Sequence, residues 1–110
     1  MEKFMYLFRG GMAGGSAENM QGHMQKWMAW VEKLKAENKY VAGEPLLPGG
    51  KTITGSKKTV TDGPFVEGKD LIGGFFIVNA KNYDDAVEMA IECPDYQFGG
   101  SVDVRQVMKM

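Results

Sequence analysis

His23 is the only histidine in this chain of 110 residues. A neutral imidazole takes or gives a proton near pH 7, which is the requirement of general acid–base chemistry. Trp27 follows four residues later and Trp30 seven later, spacings that bring all three to one side of a helix. A histidine used in this way needs a group to orient it or balance its charge. Two acids qualify by local setting. Asp62 stands in an Asp-Gly-Pro turn, and Glu44 follows Gly43 at the end of a short extended run. Strand ends of that kind commonly border pockets. The catalytic expectation is therefore His23 served by Asp62 or Glu44.

Other chemistries have less to stand on. Cys93 is the lone cysteine and has no basic neighbour in sequence to lower its pKa, so it reads as a buried, inert thiol. One histidine and one cysteine far apart show no ligand spacing, and no metal is expected. The pairs Gly10-Gly11 and Gly14-Gly15 lack the lysine and hydroxyl residue of a phosphate loop and miss the dinucleotide pattern. They read as a plain loop, and no cofactor is expected.

The elements that must position these residues can be read from periodicity. Phe4 to Phe8 is a nearly unbroken apolar run, as expected of a strand buried on both faces. After the glycine pairs, Ser16 is placed to cap a helix running from about Ala17 to Asn38. Its apolar stripe is Met20, Met24, Trp27, Val31 and Leu34, with Trp30 off the centre of that stripe and available as a pocket wall. Tyr40 to Ala42 reads as a short strand, and Pro45 and Pro48 put the next segment at a sheet edge or exit. Threonines and β-branched residues between Lys51 and Thr61 predict an extended arm or hairpin. Phe75 to Val78 is a buried strand, Asn82 or Asp84 caps a second helix to about Glu92, and Pro94 stops it. A last strand runs from Ser101 to Val107.

This order predicts one α+β domain over residues 1–110: a ferredoxin-like sandwich with a four-stranded antiparallel sheet, a hairpin arm and two helices on one face. The other face would lie bare, which invites dimerisation, with Val102 and Val104 near the seam. With 13 basic and 14 acidic residues well mixed, neither a nucleic-acid surface nor an acidic tail is present. No apolar run approaches the roughly 20 residues that span a bilayer. Met1 to Gly10 lacks the order of a signal peptide, and a single cysteine suits a reducing compartment, so a cytoplasmic location is expected.

Four ordered blocks carry a family resemblance. They are V-A-G-E-P-L from Val41, T-D-G-P-F-V-E-G-K-D-L-I-G-G-F-F-I-V from Thr61, Cys93-Pro94, and G-G-S-V-D-V-R from Gly99. Together they resemble the DGPF branch of the YCII-related proteins across nearly the whole chain. The resemblance implies a ferredoxin-like fold paired face to face as a dimeric α/β barrel. It also implies, for some members of the wider group, an enzyme-like pocket around a histidine and an aspartate; other members occur beside or fused to sigma factors. His23 corresponds to the family histidine. The family aspartate precedes a proline and a tyrosine late in the second helix, where this chain has Cys93-Pro94-Asp95-Tyr96. Either the acid is displaced to Asp95 or Cys93 replaces it. Trp27, Trp30 and Phe65 are the residues expected to line a substrate. The functional expectation is an enzyme using acid–base chemistry on a small organic molecule in a dimer-associated pocket. Its rival is a non-catalytic ligand-binding or regulatory module, linked through the resemblance to sigma-factor systems.

Overall fold

The computed structural model describes residues 1–10, 17–47, 49–62 and 71–110. Ser16, Pro48, the Gly63-Pro64 turn and Phe65 lie outside them, as does the side chain of Met20. Among the described residues, six strands and two α-helices run in the order β1 (Glu2–Arg9), α1 (Ala17–Ala36), β2 (Tyr40–Pro45), β3 (Lys51–Thr54), β4 (Thr59–Asp62), β5 (Ile72–Ala80), α2 (Tyr83–Ala90) and β6 (Ser101–Gln106). A 3-10 helix, Pro94–Phe98, joins α2 to β6. Four strands form one antiparallel sheet in the order β2-β5-β1-β6, and β3 with β4 makes a separate hairpin. The fold is α+β and ferredoxin-like, as the element order predicts.

Local chemistry sets the element ends. Asn38 takes a positive φ after α1, and the Lys39 N–H returns to the Leu34 carbonyl, a left-handed helix stop that asparagine tolerates. Asn82 caps α2, its side-chain oxygen accepting the Asp85 N–H at 2.9 Å, while the Asp85 carboxylate accepts the Lys81 N–H. Pro45 ends β2, an edge strand, where a missing donor is harmless.

The core is aromatic. Phe4, Tyr6 and Phe8 of β1 and Phe76 and Val78 of β5 point to the helices and are buried. Tyr6 donates its hydroxyl to the Ala86 carbonyl at 2.5 Å, tying α2 to the sheet. From α1, Trp30 packs on Tyr6, Phe8 and Phe76 and donates its indole N–H to the Met89 carbonyl at 3.2 Å. Trp27 meets Phe8 edge to face, with ring centroids 4.9 Å apart. Such pairs add to the burial of their own area.

Three expectations are corrected here. Of the expected stripe of α1, Trp27, Val31 and Leu34 do face the core, joined by His23 and Trp30, while Met24 is 62% exposed; flat rings fill the space over Phe8 and Phe76 where the methionine was expected. β1 is not buried on both faces: Met5 and Leu7 alternate with the core residues and stay half-buried. Val102 and Val104 sit opposite Phe8 and Tyr6 and pack on the core, so they belong to the covered face. The open face carries Met5, Leu7, Phe75 and Ile77 at its centre. Across the strands one row reads Glu44, Phe75, Leu7, Asp103, and the next Ala42, Ile77, Met5, Arg105. Charge thus lies at both edges of an apolar middle.

The aromatic core needs bare backbone at Gly43. A Cβ there would collide with the Phe76 ring and stand 2.8 Å from the Phe75 carbonyl and 2.9 Å from the Tyr40 hydroxyl. Gly43→Ala is therefore expected to cost about 1–3 kcal/mol of stability by overpacking, read from urea unfolding. Unchanged stability would show that Phe76 is free to move.

Cys93 is buried against this core, and burial pushes its thiol up from 9.0 to about 12. Above the ordinary thiol value the unfolded chain releases its proton while the folded chain keeps it, so stability must fall as pH rises from about 9 towards 12. Burial raises Tyr6 in the same direction. Urea midpoints are expected to decline above pH 9, less steeply in Cys93→Ala, and the folded thiol is expected to resist alkylation at pH 8. Rapid labelling of the folded protein at that pH would contradict the burial.

Candidate functional site

His23 lies in the first half of α1, and its ring turns inward because it shares the inward stripe with Trp27 and Trp30. Its Nε2 stands 2.7 Å from Asp95 Oδ1. The Trp27 indole N–H lies 2.9 Å from that same oxygen and 3.0 Å from His23 Nε2. Three polar atoms thus meet in a triangle between α1 and the 3-10 helix. His23 and Asp95 side chains are 10% and 9% exposed.

Asp95 reaches this place by local chemistry. Pro94 opens the 3-10 helix, since a ring without an N–H suits a helix start. The Tyr96 hydroxyl donates to the Ala90 carbonyl at 2.8 Å, pinning the turn to the end of α2. Gly99 closes it at φ 78°, and the Gly100 N–H bonds the Asp95 carbonyl at 3.1 Å. A side chain at Gly99 would be strained in that left-handed conformation. The Cys-Pro-Asp-Tyr run is a device for holding one carboxylate against α1.

The triangle constrains where protons sit. The indole N–H can only donate. With Asp95 ionised, Oδ1 accepts from both Trp27 and a protonated Nε2, which leaves Nδ1 as the ring nitrogen that carries the lone pair of a neutral imidazole. A second arrangement places the proton on Asp95, donating to Nε2. Either way the carboxylate fixes the ring and the tautomer, the arrangement that acid–base histidines require.

The other expected residues fall elsewhere. Asp62 ends β4 on the hairpin, 87% exposed, in an ion pair with Lys51 at 2.5 Å. Glu44 is opposite Phe75 on the open face, with the sheet between it and His23. Successive strand residues alternate faces, and Gly43 occupies the inward position that Glu44 would need. Trp30 is 4% exposed and is core. Phe65 lies outside the described residues. Trp27 joins the site, though by its N–H more than as an apolar wall. Asp95 is the acid that meets His23, and Cys93 next to it keeps its proton.

A shallow groove of about 370 Å³ is lined by Lys26 on α1 and by Glu92, Cys93, Pro94, Tyr96 and Gln97, with His23, Trp27 and Asp95 not among its walls. Lys33 bridges to Glu92 at 2.6 Å on its rim. Among the described residues no group of three or more His, Cys, Asp or Glu is placed to hold a metal ion. No described helix is long and apolar enough to cross a membrane.

No curated protein matches the chain. Among solved structures, 5-chloro-2-hydroxyhydroquinone dehydrochlorinase from Burkholderia phenoliruptrix AC1100, in complex with 2,5-dihydroxybenzoquinone, is similar with a TM-score of 0.52. The two are 21% identical, over 98% of this chain and 95% of that one. At that identity the likeness shows the fold alone. The model of the YCII-related domain matches residues 5–110, and over that span the blocks around Gly43, Gly74, Pro94 and Gly99 are the ones that shape the core and seat Asp95. The chain belongs to the YCII-related family.

Proposed function

We propose that the protein is an enzyme of the DGPF branch that moves a proton on a small organic molecule, with His23 as the acid–base group. Asp95 orients the imidazole through Nε2 and stabilises the imidazolium that forms when the ring takes a proton. Trp27 holds the carboxylate from the other side. The observation that carries this reading is the 2.7 Å contact between the lone histidine and a nearly buried carboxylate, the pairing that orients an acid–base imidazole. A ring compound bearing hydroxyl groups is the substrate class. The support is a fold shared with a protein that acts on a chlorinated hydroxyhydroquinone, an analogy of fold and not of site.

A second reading rests on the same burial. A pair this enclosed also serves as a latch between α1 and the 3-10 helix in a non-catalytic binding or regulatory module. The two readings part on a panel of hydroxylated aromatic and quinoid compounds. Under the enzyme reading His23→Gln and Asp95→Asn each lower turnover by about 10²–10⁴-fold while circular dichroism stays native. Under the latch reading both variants lose stability and no compound turns over in any form.

The active form in this proposal is a cytoplasmic homodimer joined through the open sheet face as an α/β barrel. An apolar centre with a charged rim is the pattern of protein interfaces, and the Glu44 edge of one chain suits the Arg105 edge of another. Leu7→Asp puts a charge in the middle of that face without touching the core. Parent protein is expected to sediment as two chains at micromolar concentration and Leu7→Asp as one. A parent that sediments as a single chain would end the barrel.

A further inference from the structure

Among the described residues the β3–β4 hairpin makes its main contacts between its own two strands. Every residue from 49 to 62 is exposed. The radius of gyration is 15.5 Å, against about 13 Å for a compact chain of this length, and the extents are 46 × 43 × 18 Å. A two-stranded hairpin without support is marginal in water, so the arm calls for a surface.

Its two faces differ. The register pairs Lys51 with Asp62, Thr52 with Thr61, Ile53 with Val60, and Thr54 with Thr59. Side chains alternate along each strand, so four threonines share one face while Ile53 and Val60 share the other beside the Lys51–Asp62 ion pair. Ile53 and Val60 are 65% and 57% exposed. A cross-strand pair of β-branched side chains is what stabilises a ribbon on an apolar surface.

We infer that the hairpin is an intersubunit arm whose Ile53–Val60 face lies on a second copy of this chain. The inference rests on the face-to-face dimer proposed above. Geometry and area both point to that occupant. The arm leaves the sheet at the end of β2, an edge strand on the rim of the open face, where the Leu46 N–H is fixed to the Gly73 carbonyl at 2.8 Å. In a face-to-face pair, the rim from which the arm leaves lies next to the partner's sheet. Four strands about 4.8 Å apart with some six paired residues each offer a face of roughly 400 Å². A stable interface takes about 800 Å² per partner, and the arm supplies the difference. The arm's root also shares an end of the sheet with the end of β1, the start of α1 and the 3-10 helix that carries Asp95, so a clasped partner borders the His23 site.

Ile53→Thr combined with Val60→Thr removes the apolar pair and keeps strand preference, and the core is untouched. Sedimentation across a dilution series is expected to show dimer dissociation strengthened at least 10-fold in this variant, with an unchanged thermal midpoint for the dissociated chain. Leu7→Asp, run alongside, separates the two ideas. Should Leu7→Asp break the dimer while the double variant associates like the parent, the arm proposal fails and the face reading stands. Should Leu7→Asp leave the dimer intact, the face-to-face reading fails, and the arm placement that rests on it fails with it. A parent that is monomeric throughout overturns both.

Discussion

Trp27 is the residue on which both the fold and the site depend. Its ring is locked edge-on between Phe8 and Phe76, so α1 is held at one rotation over the sheet. Its N–H emerges from that packing at Asp95 and His23. An indole joins an apolar body to one donor, and here the body belongs to the core while the donor belongs to the site. The rigidity of the core is thereby passed to the imidazole, because any rotation of α1 that moved His23 would unpack three aromatic rings.

The same packing explains the shape of the domain. Among the described residues the helices cover the face that presents Phe4, Tyr6, Phe8, Phe76 and Val78, and the period of two along each strand sends Met5, Leu7, Phe75 and Ile77 the other way. A thin domain with one wet apolar face is hard to stabilise alone. The half-buried apolar face and the exposed hairpin belong to one architecture in which 110 residues build a single helix layer.

The seating of Asp95 shows how a short motif gains chemical meaning. Proline starts the turn, tyrosine ties it to α2, glycine ends it, and the aspartate between them has one direction left to point. The neighbouring thiol stays protonated, held by burial, and contributes volume instead of reactivity.

Much of this was legible before the fold. The 3.6 and 2 periods gave the type and order of the elements, the antiparallel sheet and the arm, and His23 stood out as the lone histidine. These are local properties, set by each residue and its near neighbours in sequence. The family resemblance of the Cys-Pro-Asp-Tyr run left Asp95 or a replacement by Cys93 open, while local setting favoured Asp62 and Glu44. Choosing Asp95 over Asp62 and Glu44 took tertiary structure, since residues 72 apart in sequence meet only when α1 packs beside the 3-10 helix. The rotation of α1 was likewise undecided in sequence, where methionines and tryptophans are equally apolar; contact with Phe8 and Phe76 selected the flat rings. Alternation along β6 was plain, but which of its faces turned inward depended on its register with Tyr6 and Phe8 in a strand almost a hundred residues earlier. Periodicity fixes how side chains are spaced, and only packing against a partner fixes which of them face in.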